Sequence, residues 1–392
     1  MSTTGGAKTK RLKVAIIGCG RIGEREAEAV VAIPDLSLAA VSDIGPAFRD
    51  KAVRMGAKYE CDVVHEWRHL IERRDVDIVI VATPNAFHRE ISVEAMRQGK
   101  HVVCEKPLTT TAVEAEEMLA TADAEGVKLM TNFNHRRHDH NMRAKELLQQ
   151  GMIGRPVFIR GRIGHGRFVV GPSPVGPGRF QCVNSWYMDA GEAGGGTVID
   201  NGVHLLDLAA WFMDDEFVSA QGSVTRNFDI CERGSDGVPV VKRPSECEDN
   251  GFGLFTTGDG RIASLQSSWT QWQGYLHVEI FGTHGWIVVN NDQIQGTVTY
   301  QVLTRHGESA ATTTEVPALL KPDPSWRLQL EEFAAALRDE RQPSPNGYDG
   351  LRAVRMVHAL YRSAASGRAE PVETSLPLRL PARSAEPVTA NR

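Results

Sequence analysis

An aspartate and a histidine one helical turn apart are well suited to acid–base chemistry. Asp200 and His204 are four residues apart, and Asp207 follows three residues later, so on a helix all three side chains would lie on one face. A histidine beside a carboxylate can accept a proton near neutral pH, and the oxidation of an alcohol needs such a base for the hydroxyl proton. We therefore predict that His204 is the base, that Asp200 orients the substrate or tunes the histidine, and that Asp207 is a structural support.

A glycine-rich turn near the start of the chain is typical of a dinucleotide site. Three glycines form the pattern G-x-G-x-x-G between a Val/Ile-rich run and a helix-length segment, where backbone amides can approach a pyrophosphate. Asp43 ends the next apolar run, and its carboxylate could bind the 2′-hydroxyl of an adenosine ribose. Because that charge would repel a 2′-phosphate, the pattern predicts NAD in preference to NADP. The residues of the turn that we predict to contact the cofactor are Gly18, Gly20, Arg21, Ile22 and Gly23.

Two further turns follow apolar runs that are typical of strands in the same sheet. Ligands bind outside the carboxyl ends of parallel strands, so both turns are predicted to lie beside the cofactor. Lys106, which precedes a proline, could hold a hydroxyl group and neutralise negative charge that develops on its oxygen. The residues of these turns that we predict to bind the cofactor are Thr83, Pro84, Asn85, His88, Glu105 and Lys106.

The elements that must position these residues predict two differently built halves. In the first, apolar runs without alternation are separated by helix-length segments, which is typical of a doubly wound parallel sheet. In the second, strand-like runs joined by short Gly-containing turns predict a mostly antiparallel sheet, with one helix before it and two after it. The expected organisation is a lead-in at 1–11, a Rossmann domain at 12–133, an α+β domain at 134–366 and a Pro-rich tail at 367–392. Whether the last helices pack on the first domain is left open.

Composition argues against several classes of protein. The chain has 392 residues and a formal net charge of −5, so it has no global positive field to attract nucleic acid. No apolar run approaches the roughly 18 residues of a transmembrane helix, and the first residues lack the apolar segment of a secretory signal. None of the six cysteines forms a C-x-x-C pair. We therefore expect a cytoplasmic protein with reduced thiols and no membrane partner.

The order and spacing of several motifs resemble the glucose–fructose oxidoreductase / inositol dehydrogenase / rhizopine-catabolism (Gfo/Idh/MocA) family. The matching segments are GCGRIG, VSD, ATPNAFH, CEKP, NHRRHD and GGGTVIDNGVHLLDLAAWF, and the resemblance extends over residues 12–370. It implies a Rossmann domain followed by a domain with a large open antiparallel sheet, whose exposed face forms homo-oligomers, here a dimer or tetramer. It also implies that Lys106, Asp200 and His204 form the catalytic set, and that the substrate is a sugar, a sugar derivative or a cyclitol.

Other polar and aromatic residues are candidates for contact with that substrate. The resemblance implies an Arg-Arg-aromatic-Asp segment within 135–140, where His138 takes the place of the aromatic residue. Histidine and aspartate in this cluster are also metal-ligand types, but the two adjacent arginines would repel a cation, and we predict no metal site. The Gly/Pro-rich loop 164–181 is a candidate lid or oligomer contact. The residues that we predict to bind the substrate are Lys106, Arg137, His138, Trp186, Asp200 and His204.

The predicted activity is the NAD-dependent oxidation of a secondary alcohol, with hydride transfer to nicotinamide C4 and His204 as the proton acceptor. One alternative is an NAD-dependent enzyme that oxidises a sugar transiently so that a glycosidic substituent can be eliminated. Another is a ligand-sensing regulator without turnover. Lys106, Asp200 and His204 together favour an enzyme over a sensor, because a sensor needs no base.

Overall fold

The computed structural model describes residues 11–45, 49–165, 185–227, 229–233, 239–271, 274–291, 296–302, 312–315 and 323–375. The chain folds into two units. The first comprises the described residues of Met1–Leu108, Glu117–Asn134 and Pro324–Gly347, and the second those of Thr109–Glu116, His135–Asp323 and Tyr348–Arg392. The unit boundaries differ from the predicted ones at Thr109–Glu116, which groups with the second unit, and at Asn134, which groups with the first. Pro324–Gly347, which belongs to the segment whose packing was left open, groups with the first unit.

A parallel six-stranded sheet forms the centre of the first unit. Its strands are β1 (Leu12–Ile17), β2 (Leu36–Ser42), β3 (Asp62–Val63), β4 (Ile78–Val81), β5 (His101–Glu105) and β6 (Leu129–Asn132), in the spatial order β3-β2-β1-β4-β5-β6. All neighbouring strands are parallel. Every residue of β4 is buried, as expected of a strand that is covered on both faces.

Helices accompany this sheet along the chain. They are α1 (Arg21–Val31), α2 (Arg49–Tyr59), α3 (Trp67–Ile71), α4 (His88–Arg97), α5 (Ala112–Ala124) and, much later in the sequence, α9 (Ser325–Arg338). Within the first unit α9 packs on α1, where the guanidinium of Arg25 lies 4.9 Å from the ring centroid of Trp326. The β3 strand and the α3 helix were not predicted, because each is too short for an apolar period to be recognised.

A mixed nine-stranded sheet forms the second unit. Its strands are β7 (Pro156–Gly164), β8 (Phe217–Thr225), β11 (Asn250–Thr257), β12 (Ile262–Ser268), β13 (Tyr275–Gly282), β14 (Gly285–Asn291), β15 (Gly296–Val302), β16 (Thr313–Glu315) and β17 (Glu370–Pro371). The order is β16-β15-β14-β13-β7-β12-β11-β8-β17. Only the β7–β12 pair is parallel among these described strands. The edge strand β17 lies in the predicted tail.

The remaining elements of the second unit are α6 (Asp139–Gln149), α7 (Ala190–Ala193), α8 (Val203–Met213), α10 (Gly347–Ser366) and a hairpin of β9 (Asp229–Arg233) with β10 (Pro239–Pro244). The predicted fold class, a Rossmann domain followed by an α+β domain with a mostly antiparallel sheet, is confirmed. The predicted lead-in, except for Arg11, and the end of the tail after residue 375 lie outside the described residues. In the part of the chain that the structure describes, no helix is both long and apolar enough to cross a bilayer.

Candidate active site

The glycine turn of the first unit has the steric properties that a dinucleotide requires. Gly18 has φ +107°, and a Cβ atom there would lie 2.4 Å from the carbonyl oxygen of Ala82. A Cβ on Gly23 would lie 1.9 Å from the carbonyl oxygen of Gly18, whereas the equivalent position on Gly20 faces open space. Gly18 and Gly23 therefore allow strand, turn and helix to pack closely. Gly20, the N-cap of α1, leaves the backbone accessible to a pyrophosphate.

Asp43 is tied to this turn by hydrogen bonds. Its Oδ2 atom accepts a hydrogen bond from the backbone N–H of Cys19 at 2.7 Å, and its Oδ1 atom accepts one from Ile44 at 2.8 Å. Burial raises the pKa of Asp43, while these two backbone donors act in the opposite direction. A carboxylate has about four lone-pair sites, so acceptor capacity is left for a ribose diol. The residues present therefore fit the adenosine end of NAD.

His88 lies beneath the turns after β4 and β5 rather than on their surface. The residue is 1% exposed. Nδ1 is 2.9 Å from the carbonyl oxygen of Pro107, and Nε2 is 3.0 Å from that of Thr83. Burial lowers the pKa of His88, and a neutral imidazole donates from only one nitrogen at a time. A neutral ring therefore donates to only one of the two carbonyl oxygens, and its contribution to a cofactor site would be to support the turns by this hydrogen bond and by packing beneath them.

Glu105, predicted to bind the cofactor, is also buried. Its Oε1 atom accepts a hydrogen bond from Asn132 Nδ2 at 2.7 Å, and its Oε2 atom accepts one from the backbone N–H of Lys106 at 3.2 Å. Thr83 and Asn85 are largely buried, and the side chain of Lys106 is partly exposed. Of these residues, Lys106 therefore has the greatest access to solvent and to a ligand.

In the second unit, a π-helical turn at Val198–Gly202 precedes α8. The predicted regular α spacing therefore does not hold at Asp200, because the π turn is wound differently from the helix that carries His204. Asp200 Oδ2 accepts a hydrogen bond from the indole N–H of Trp269 at 3.1 Å. The ring of His204 stacks on that of His135, with centroids 3.9 Å apart and planes 7° apart. This contact fixes the plane of the imidazole that we predict to be the base.

The backbone before this turn is held by a buried carboxylate. Glu248 accepts hydrogen bonds from the N–H groups of Gly196 at 2.8 Å and Val198 at 2.9 Å, and from the hydroxyl of Tyr361 at 2.8 Å. A Cβ on Gly196 would lie 1.9 Å from the carbonyl oxygen of Glu248. The glycine run at 194–196 therefore permits the close approach that sets the position of the turn with Asp200.

Asp207 belongs to a buried ion-pair network. Arg136 donates to it from Nε at 2.7 Å and from Nη2 at 2.5 Å. Asp349 lies 3.0 Å from Arg136 and 2.7 Å from Arg352. All four side chains are at most 10% exposed. This bidentate pairing favours the structural role that was predicted for Asp207.

Besides Asp200 and His204, the predicted substrate-binding residues of the second unit lie in two further segments. Arg137 and His138 lie in and just after a 3₁₀ turn at Asn134–Arg137, and His138 Nε2 is 3.5 Å from Asp323 Oδ2. The rings of His138 and His135 have centroids 4.7 Å apart, so His138 belongs to the same row of imidazoles as His204. Trp186 stacks on Tyr187 at 3.8 Å. Most of the loop 164–181 lies outside the described residues.

Several residues that the structure places at this site were not identified from the sequence. His135, Arg136, Glu248 and Trp269 contact the predicted residues or their backbone. The run His-Arg-Arg-His drew attention to the region, but nothing in it distinguished the buried Arg136 from its partly exposed neighbour Arg137. Among the described side chains, no group of three or more His, Cys, Asp or Glu is arranged to hold a metal ion.

Comparisons with known proteins give a family match for each half of the chain. A family model described as an oxidoreductase family with an NAD-binding Rossmann fold matches residues 12–133, and the GFO/IDH/MocA C-terminal domain matches residues 141–288. The 1,5-anhydro-D-fructose reductase of Ensifer adhaerens is 32% identical over 310 residues, which cover 78% of this chain and 83% of that protein. The myo-inositol 2-dehydrogenase of Thermotoga maritima is 27% identical over 367 residues, covering 92% and 99%.

A solved structure shows the same fold. Levoglucosan dehydrogenase in complex with NADH and L-sorbose has a TM-score of 0.81 at 23% sequence identity, and the match covers 93% of this chain and 99% of that one.

Proposed function

Because this chain belongs to the Gfo/Idh/MocA family of oxidoreductases with an NAD-binding Rossmann fold, we propose that it is an NAD-dependent dehydrogenase that oxidises a secondary alcohol of a sugar, a sugar derivative or a cyclitol. The observation that carries the proposal is the glycine turn tied to Asp43, which fits a dinucleotide without a 2′-phosphate. Two relatives are named for a sugar and for an inositol, which supports a polyhydroxylated substrate.

In this proposal each part of the reaction is assigned to particular residues of the chain. NAD⁺, held by the glycine turn, Asp43 and the turns after β4 and β5, would supply the hydride acceptor. His204 accepts the hydroxyl proton at a ring nitrogen, and its stacking on His135 keeps the ring in one plane. Lys106 donates a hydrogen bond to the alcohol oxygen and stabilises the negative charge that develops there. Asp200, oriented by Trp269, positions the substrate or tunes the histidine, and Arg137, His138 and Trp186 contact the substrate's other groups.

A substrate screen tests this function directly. NAD⁺ is incubated with the protein and a panel of sugars, inositols, amino sugars and nucleotide sugars, and NADH formation is followed by its absorbance. We expect net NADH with at least one member of the panel. Product formed without net NADH would support transient oxidation with elimination. If the protein binds NADH but turns over no member of the panel while capturing a partner protein, the regulator would replace the enzyme.

Asp43→Ala is expected to raise KM for NAD⁺ about tenfold, or ~1.4 kcal/mol, because a charged hydrogen-bond acceptor for the ribose is removed. The measurement is the KM for NAD⁺ and for NADP⁺ with the substrate found by the screen. The matched control is Asp77→Ala. Asp77 also accepts a backbone hydrogen bond, from Lys13 at 2.8 Å, but it lies at the amino end of β4, whereas Asp43 follows the carboxyl end of β2. An equal rise in both variants would contradict a role for Asp43 in cofactor binding.

We also propose that the protein forms a dimer or tetramer through the open face of the sheet in the second unit. That face carries Phe252 and Leu254, which are 46% and 48% exposed and help to line a concavity of about 840 Å³ formed by β7, β8, β11, β12 and β13. Two exposed apolar side chains on one face favour contact with another protein surface. Light scattering is expected to give twice or four times the chain mass, and Leu254→Glu to lower it. A wild-type monomer would contradict the proposal.

A further inference from the structure

Two buried glutamates and an asparagine connect three elements of the first unit. Glu26 lies on α1 and is 0% exposed, Glu105 ends β5 and Asn132 ends β6. The amide Nδ2 of Asn132 donates to Glu105 Oε1 at 2.7 Å and also to Glu26 Oε1. Both carboxyl groups therefore converge on one nitrogen, between the helix that begins at the glycine turn and the strand that ends at Lys106.

This pair of carboxyl groups has little positive charge around it. Lys106 acts on Glu105, to which it also donates its backbone N–H at 3.2 Å. The neighbouring charged residues of α1 are engaged elsewhere, since Glu24 pairs with Lys58 and Arg25 lies over Trp326. Within the described residues no cation forms an ion pair with Glu26.

Physical chemistry places a proton on one of the two carboxyl groups. Two adjacent carboxylates in a dry site cannot both be ionised without a large cost. Burial and the charge of Glu105 raise the pKa of Glu26 well above its ordinary value. Burial also raises the pKa of Glu105, but Lys106 and the hydrogen bonds to Glu105 oppose that rise. These directions favour the proton on Glu26, whose buried Oε2 atom has no other hydrogen-bond partner and, once protonated, would donate to the carboxylate of Glu105.

We propose that Glu26 is a positioning residue that keeps its proton at neutral pH, and that its hydrogen bond to Glu105 holds the Lys106 turn against the helix of the glycine loop. Loss of this proton at high pH places two negative charges side by side and loosens the turn. Only the consequence for cofactor binding rests on the proposed function. The proposed protonation involves only groups of the first unit and does not depend on the function.

The direction of the effect on stability follows from proton linkage. Because the folded protein holds a proton that the unfolded glutamate releases above about pH 4.3, the stabilisation is complete below that pH. It decreases as the pH rises toward the value at which folded Glu26 ionises. Glu26→Gln keeps a hydrogen-bond donor at this position but cannot ionise. It is therefore expected to remove this part of the pH dependence.

The test is thermal unfolding of cofactor-free wild type and Glu26→Gln between pH 5 and pH 9. We expect the melting temperature of the variant to exceed that of wild type by about 3 °C or more at pH 9, and to match it within about 1 °C at pH 5. Glu28→Gln is the matched control, because Glu28 is exposed on the same helix, and it is expected to follow wild type. A constant difference between Glu26→Gln and wild type at all pH values would overturn the proposal.

Two further measurements keep the proposal testable if Glu26→Gln does not fold. The infrared spectrum of wild type at pH 8 is expected to contain the carbonyl band of a protonated, buried carboxyl group, and its absence would overturn the proposal. Where the variant folds, NADH affinity is expected to fall at least threefold more between pH 7 and pH 9 in wild type than in Glu26→Gln. A protein that binds no NADH but gives the expected melting curves and infrared band would contradict the proposed function alone.

Discussion

Replacing His204 with alanine is expected to lower kcat by about 10²–10⁴-fold, the range for loss of a general base. The Kd for NAD⁺ is expected to stay within about twofold of wild type, because the residues that fit the dinucleotide lie in the first unit, in the glycine turn and at Asp43. Hydride transfer without a group to accept the hydroxyl proton would leave an unfavourable charge in the product. The measurements are steady-state NADH formation with the substrate from the screen, and NAD⁺ binding followed by tryptophan fluorescence.

The matched control for this prediction is His284→Ala. His284 is exposed in the turn between β13 and β14, where its Nδ1 atom is 2.7 Å from the hydroxyl oxygen of Thr283. Its loss is expected to change neither kcat nor cofactor affinity. If His204→Ala retained turnover near that of wild type, another group would have to accept the proton. If it lost NAD⁺ binding together with turnover, the histidine would have a broader structural role than the proposal assigns.

The first unit was largely predictable because its motifs are local. Gly23 is required because a Cβ atom there would meet the carbonyl oxygen of Gly18, and Gly18 adopts φ +107°, a conformation that favours glycine. Both of these requirements lie within the glycine motif itself. The position of His88 was not predictable in the same way. Its ring lies between the carbonyl oxygens of Thr83 and Pro107. These two residues follow different strands, β4 and β5, which are neighbours only in the folded sheet.

Long-range packing accounts for most of what the sequence did not reveal. Glu26 and Asn132 are separated by 106 positions, and on α1 alone a buried glutamate cannot be distinguished from an exposed one. The central strand β7 was not predicted, because Arg160 and Arg162 alternate with the buried Ile159 and Ile163 and interrupt the apolar run. Its partners β12 and β13 follow far along the chain. Pairing across the sheet, which a local window does not contain, determines that strand.

Around the predicted base, too, the residue types were predictable from the local sequence, whereas their arrangement was not. The spacing of Asp200 and His204 suggested one regular helix, whereas Glu248, distant in sequence, binds the backbone at Gly196 and Val198 before the π turn. The residue types at this site could therefore be read from a local segment. The relative orientation of Asp200 and His204 could not be predicted in this way, because it depends on the carboxylate of Glu248, which is distant in sequence.

Asp207→Asn is expected to lower the free energy of unfolding by about 3–5 kcal/mol, because it leaves a buried guanidinium without its bidentate partner. Arg136 would retain Asp349, but Asp349 also binds Arg352, whose other partner is the less buried Glu216 at 3.3 Å, so the two guanidinium groups would have to share Asp349. The measurement is denaturant unfolding of wild type and variant. Asp35→Asn is the matched control, since Asp35 pairs with Arg338 at 2.6 Å on the surface, and about 1 kcal/mol or less is expected there.

The same variant separates a structural role of Asp207 from a catalytic one. His204 lies one turn earlier on α8, so a supporting aspartate would affect turnover only through the fraction of folded protein. For folded Asp207→Asn, assayed well below its melting temperature, kcat is therefore expected to stay within about tenfold of wild type, far above that of His204→Ala. A stable variant with turnover as low as that of His204→Ala would contradict the structural role. It would place Asp207 with Asp200 in the machinery that acts on the substrate.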